Sequence, residues 1–281
     1  VSATIAAAGL PLLTAAGENS HFPPTPEDFW QPLFKMFEIG GQSYYFTRPM
    51  ALLLIAAIAL TVWLLVTTRR AAIVPSKGQW LTEKVYDFAR NDIARDMIGS
   101  RDFMRFVPFL FALFVFILLN NLFGILPPFQ NPTMARVGFP IALTLVVYVV
   151  YHWIGFKKHG AVGYFKFMLP SGLPGWIKPF ILLLEMITFF ITRPLTLALR
   201  LFGNMFAGHM LLVVFIVGGW VMFESGFLHE GGNPVIGVLA IPAWLMGALL
   251  TAFEGLIQFL QAYVFVLLAA SYIGGALVDE H

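Results

Sequence analysis

Arg193, Thr196, Arg200 and Asn204 are spaced 3, 4 and 4 within the apolar run "ITRPLTLALRLFGNMFAGHMLLVVFIV", Ile191–Val217. At about 100° per residue they form one stripe of a helix. A second apolar run carries Glu254, Gln258 and Gln261, spaced 4 and 3, again on one face. An arginine at bilayer depth costs at least ~2.5 kcal/mol even on the most lenient insertion scale. Such a stripe therefore faces protein or a wet cavity. These residue types suit proton transfer beside a fixed cation. The His209 imidazole and the Glu254 carboxyl can take up and release protons. The Arg200 guanidinium keeps its charge and relays none.

The elements that must position these groups are membrane helices. Only 11% of the 281 residues are charged and 59% are hydrophobic, with a mean hydropathy of +0.80. A soluble domain carries about 25% charged residues, so water is not the main solvent of this surface. Cysteine is absent, which excludes disulfides and thiolate metal sites. A net charge of +2 is too small and too dispersed for nucleic acid. Position 1 is valine, so the initiator methionine is expected to be missing or removed. Val1–Ala16 lacks a basic n-region and reads as a flexible terminus rather than a signal peptide.

A span needs roughly 20 apolar residues. Pro49–Thr67, Phe106–Leu126 and Phe139–Phe156 fit, ending at Arg69-Arg70, Pro127-Pro128 and Lys157-Lys158. Pro179–Val217 and Pro242–Val278 are longer; as helices they reach about 55–60 Å, so they must tilt, break or lie partly along the membrane. The fold class is all-α, a polytopic membrane protein with about five embedded helices. Arg69–Arg105 holds eight basic residues and Lys157–Lys178 four. By the positive-inside rule both loops are cytoplasmic, the N-terminus is outside and "VDEH" at the C-terminus is inside. Within the first of them, residues 79–105 read as an amphipathic cytoplasmic helix, a solvated surface with a docking role as the alternative. Residues 1–43 form an N-terminal outside segment and 44–281 the membrane domain.

"HEGGNP", His229–Pro234, is a turn signal. Folding the chain back there sets Arg200 opposite Gln261 and His209 opposite Glu254. Arg200 and His209 are nine residues apart, on opposite sides of a straight helix. Either Gly203 and Gly208 permit a bend, or the two groups serve different surfaces; the second is preferred. Arg193, beside Pro194, is expected to snorkel or cap locally. Glu185, near the start of its helix, is a further candidate, an intramembrane carboxyl being functional by default. Asn120-Asn121 read as helix–helix hydrogen bonding, and His152, beside Trp153, as an interfacial residue. No phosphate-cradling GxxxxGK[ST] loop, HExxH or GxSxG is present. Any part in nucleotide chemistry must run through a partner, and no cofactor or metal is expected.

"RPLTLALRLFGNMFAGH" and "FEGLIQFLQAYVF", with their order and spacing, resemble the subunit a family of the F-type ATP synthases, from about Tyr44 to the C-terminus. The resemblance implies that Arg200, the arginine of LRLFGN, is essential, and that Asn204 and Gln261 match family positions. Some members carry Glu and His at the two outer channel positions; here they stand exchanged, as His209 and Glu254. Some members have an acidic residue after the second span's NL motif, where "NNLFG" here has Gly124. The resemblance further implies two long, tilted, antiparallel C-terminal helices against a ring of c subunits. It implies peripheral-stalk b-type subunits and the rest of the ATP synthase as partners. The setting is then an energy-transducing membrane, the bacterial plasma membrane. The expected function is a proton-translocating stator, its half-channels lined by His209, Glu254, Asn204, Gln261, Gln258 and Glu185. The alternative is a stand-alone secondary transporter or ion channel, which would show a midplane site and usually repeat symmetry; no repeat is visible.

Overall fold

The structure, a computed structural model, describes residues 32–39, 42–69, 74–126, 133–167, 169, 174–229 and 231–277. Arg70, Pro127-Pro128, Glu230, most of the N-terminal outside segment and the C-terminal "VDEH" lie outside the described residues. Two antiparallel strands, β1 (Pro32–Ile39) and β2 (Gln42–Thr47), open the described chain. They stand apart from the all-α expectation, and the boundary placed at residue 43 falls within β2. The other elements among the described residues are helices.

Helix α1 (Arg48–Thr68) follows β2 directly. Helix α2 (Lys77–Asp87) begins at Ser76, whose hydroxyl accepts from the Gln79 amide at 3.3 Å. It continues through π-helical Phe88–Arg95 to Ile98 and stops at Gly99, where φ is +89°. The amphipathic helix expected to reach residue 105 therefore ends earlier, because Gly99 takes a left-handed conformation that terminates helices. Helix α3 (Val107–Leu122) has 16 residues, not the 21 expected. The chain turns at once, with the Gly124 amide on the Asn121 carbonyl at 2.9 Å. Helix α4 (Gly138–Phe167) is kinked at Gly160.

Helix α5 (Lys178–Ile187) runs through π-helical Thr188–Thr192 into α6 (Arg193–Phe223), which continues through π-helical Glu224–Leu228. This helical run of 51 residues is followed by α7 (Pro234–Leu277), of 44. Both exceed the apolar runs read from sequence. Pro242 lies inside α7 rather than at its start. Neighbouring groups in membrane proteins re-satisfy a carbonyl freed by proline, so proline need not end a helix there. Among the described residues four helices are long and apolar enough to cross a membrane, with α3 a shorter apolar one. The molecule is a multi-pass membrane protein.

The chain divides into two compact units. The first takes the described residues up to Ala59, Leu118–Ala135 and Gly203–Leu260. In it the later part of α6 and the earlier part of α7 run antiparallel from the His229–Pro234 turn, Gly231 taking φ +83°. Gly226 packs on Gly237, Gly219 on Trp244 and Gly247 on Ile216. The second unit takes Leu60–Ile117, Arg136–Phe202 and Gln261 onward. Its core holds Ile93, Leu110, Phe114, Ile117, Leu197, Leu201, Phe265 and Ile273. Within it Lys158 donates to the Leu277 carbonyl and His159 contacts that of Ala276 at 3.2 Å, closing the C-terminal end of α7.

Candidate functional site

In the first unit a buried polar group forms where α3, α6 and α7 meet. Glu254 is 4% exposed and His209 3%. Glu254 Oε1 accepts from Gln258 Nε2 at 3.2 Å. Asn121 Nδ2 donates to the main-chain oxygen of Gln258 at 3.2 Å, and Thr133 Oγ1 bonds the Asn120 side-chain oxygen at 3.2 Å. Gly208 lies against the Glu254 carboxyl: a Cβ there would sit 3.3 Å from Oε1. The turn read in sequence thus brings this region of α6 opposite Glu254, although His209 and Glu254 do not hydrogen-bond to each other. Glu254 Oε2, Gln258 Oε1 and Asn121 Oδ1 are buried without a hydrogen-bond partner among the described residues. Each such atom costs roughly 1–3 kcal/mol. The Glu254 carboxyl thus lies among buried oxygens that the described residues leave open to a donor. Gly124 closes one side, since a Cβ there would lie 3.1 Å from the Asn121 carbonyl and 3.4 Å from Gln258 Nε2. A side chain at that position would need its neighbours to shift by a few tenths of an ångström. Asn204, by contrast, is exposed on α6.

The second unit holds Arg200, Gln261 and Glu185. Arg200 is exposed and makes no hydrogen bond or ion pair among the described residues; Thr196, one turn earlier, is exposed with it. Gln261 is buried. The pairing of Arg200 with Gln261 read from sequence is therefore not made. Opposed depth along two helices does not fix which way each side chain rotates, and here one points out and the other in. Helix α6 is α-helical from Arg193 to Phe223. Glu185 is half-buried, also without a hydrogen bond or ion pair among the described residues.

Two side chains in this unit meet aromatic rings. The Arg193 guanidinium carbon lies 3.5 Å from the Phe189 ring centre and 5.1 Å from that of Tyr272. Phe189 is four residues back on the same face, and aromatic faces attract cations. His152 is not interfacial. It is buried, pairs through Nδ1 with Tyr164 Oη at 2.8 Å and stacks on Phe190 at 4.7 Å, while Trp153 beside it is exposed. Successive residues on a helix point about 100° apart, so a lipid-facing tryptophan turns its neighbour inward. Tyr151 Oη reaches the Phe189 carbonyl at 2.8 Å, inside the π-helical turn before Arg193. The aromatic contacts of Arg193 were missed, whereas the helix–helix hydrogen bonding read for Asn120-Asn121 is made by Asn121 to the Gln258 carbonyl. The only signal for Asn121 was an asparagine pair at the end of an apolar run.

Residues 50–274 match the family described as ATP synthase A chain. Among curated proteins, the ATP synthase subunit a of Nocardioides sp. is 46% identical over 276 residues, 95% of this chain and 97% of that protein. That of Pseudarthrobacter chlorophenolicus is 41% identical over 86% of this chain and 89% of its own. That of Brucella canis is 37% identical over 90% and 95%.

Proposed function

The chain belongs to the ATP synthase A chain family and is a subunit of that enzyme's membrane sector, and from this premise we propose that it is the proton-translocating stator that drives a rotating ring of c subunits. The observation that carries this reading is Arg200. A permanent cation exposed on a membrane-spanning helix, without an ion pair among the described residues, calls for an anion from outside the chain. A carboxylate carried past it by a neighbouring subunit meets that need. At about 4 Å and an effective dielectric near 20, the attraction is worth about 4 kcal/mol.

Protons enter from outside along His209, Glu254, Gln258 and Asn204. The unpartnered oxygens of Glu254, Gln258 and Asn121 support a wet path there. The protons load the c-subunit carboxylates, which turn through lipid as neutral acids. A carboxyl returning to Arg200 is favoured as the anion and gives its proton to an inner half-channel, with Glu185 as its acceptor and Gln261 nearby in sequence register. Arg200 also blocks direct leakage, because guanidinium does not deprotonate. A membrane potential contributes ~2.3 kcal/mol per charge per 100 mV. The N-terminus is outside and the C-terminus cytoplasmic, in a bacterial plasma membrane, and b-type subunits hold the chain against rotation.

Arg200→Ala in the whole complex tests the reading. ATP-driven proton pumping should fall by about a hundredfold or more, as expected from losing about 3 kcal/mol of electrostatic stabilisation, while the c ring still copurifies. Ordinary pumping by that variant would refute the role. Arg200→Lys should also fail, since lysine can deprotonate.

A further inference from the structure

The feature that the stator reading leaves unused is the hairpin of β1 and β2. Its two faces differ. In the register, Phe34 pairs with Phe46 and Lys35 with Tyr45, while Glu38 pairs with Ser43. Cross-strand partners share a face and residues two apart on a strand return to it. Phe34, Tyr44 and Phe46 therefore lie on one face, the Phe34 and Phe46 rings stacked at 5.0 Å. Lys35, Glu38, Ser43 and Tyr45 lie on the other, a mixed face on which Tyr45 is 48% exposed and Lys35 Nζ and Glu38 Oε2 pair at 2.6 Å. On the aromatic face Phe34 is 58% exposed and Tyr44 47%. A two-stranded hairpin is marginal in water unless its apolar face finds cover.

What covers it is given by where β2 ends. Thr47 is followed at once by Arg48, the first residue of α1, with no linker. The 21 residues of α1 span about 31 Å, against ~30 Å of hydrocarbon. Arg48 therefore sits at the level of the lipid headgroups, and the strand before it starts there. Tyr44 is four residues from that level, about 13 Å of strand. Met50, Leu54 and Ile58 on the following turns of α1 are also exposed. Tyrosine ahead of a span and an apolar face backed by a more polar one suit the membrane interface.

We infer that the β1–β2 hairpin lies in the bilayer interface with Phe34, Tyr44 and Phe46 toward the acyl chains and Lys35, Ser43 and Glu38 toward water, so that the lipid surface is its binding partner. The chain has no cysteine, which allows clean site-directed labelling. The assembled complex, in a background otherwise free of reactive cysteine, carries a nitroxide through Phe34→Cys, Tyr44→Cys, Lys35→Cys or Ser43→Cys in turn. It is reconstituted into phosphatidylcholine vesicles. The ratio of oxygen to nickel-chelate accessibility is expected to be several-fold higher for the first two variants than for the last two. That difference should vanish in a short-chain detergent that leaves no ordered interface. Equal nickel access at all four sites would show a hairpin standing in water and overturn the inference. Shielding of both aromatic-face sites from oxygen and nickel alike would overturn it in favour of a protein neighbour. Each aromatic-face site checks the other where one label disturbs the strand pairing.

Discussion

Glu254 offers one oxygen to Gln258 and leaves the other buried without a partner among the described residues. A packing group and a proton carrier differ in how they answer to Glu254→Gln. The amide keeps the shape and the bond to Gln258 but cannot carry a proton. On the stator reading, pumping in Glu254→Gln drops by about 10²–10⁴-fold, the usual contribution of a positioned acid–base group. Assembly, read by c-ring copurification, stays intact. Near-normal pumping would make Glu254 a structural residue. Arg193 is a contrasting case. Its rings at Phe189 and Tyr272 hold a cation inside the fold. Arg193→Gln should therefore lower the thermal stability of the purified protein by about 0.5–2 kcal/mol, and Arg193→Lys by less. An unchanged melting temperature in Arg193→Gln would argue against the cation–ring contact.

The α6–α7 hairpin depends on glycine where two backbones approach. A methyl group on Gly226 would run into the backbone of Gly237, whereas one on Gly247 would meet Ile216 Cγ1 at 3.2 Å, a side chain able to shift. Gly226→Ala is expected to cost about 1–3 kcal/mol as overpacking, and Gly247→Ala distinctly less. Melting temperature and protease cleavage within His229–Pro234 read this directly, and equal tolerance of both would count against the close approach. The same hairpin accounts for the register of the polar residues. Gly219 against Trp244 and Gly208 against Glu254 keep one alignment along the first unit.

The chain is one subunit of a membrane-sector assembly, which sets what it can do alone. In vesicles without c subunits, the stator reading expects no coupled solute transport and no sustained proton current across a 100 mV potential. The carboxylate that carries protons between half-channels is absent there. Gradient-driven uptake of a solute by the chain alone would favour a transporter instead. Addition of a small two-helix subunit bearing a buried carboxylate should be required for rotation-coupled flow, and that subunit should copurify with the chain.

Much was readable from composition and spacing. Charge scarcity identified the solvent as lipid, run lengths located the helices, and "HEGGNP" located the turn that brings α6 back along α7. Such features are local or periodic, and helix geometry carries them into space without further information. Helix ends were less legible, as at Gly99, Leu122 and Pro242, because the length of an apolar run does not report the backbone conformation taken at its ends. Side-chain direction was least legible. Depth alone paired Arg200 with Gln261, yet packing turns one outward and buries the other; it likewise buries His152 while Trp153 beside it stays exposed. Asn121 joined the Glu254 group only through a hydrogen bond to a carbonyl 137 residues away. Spacing along a chain prescribes which residues share a face. Which face meets lipid, water or protein depends on the packing of all the helices together, and that exists only in the folded molecule.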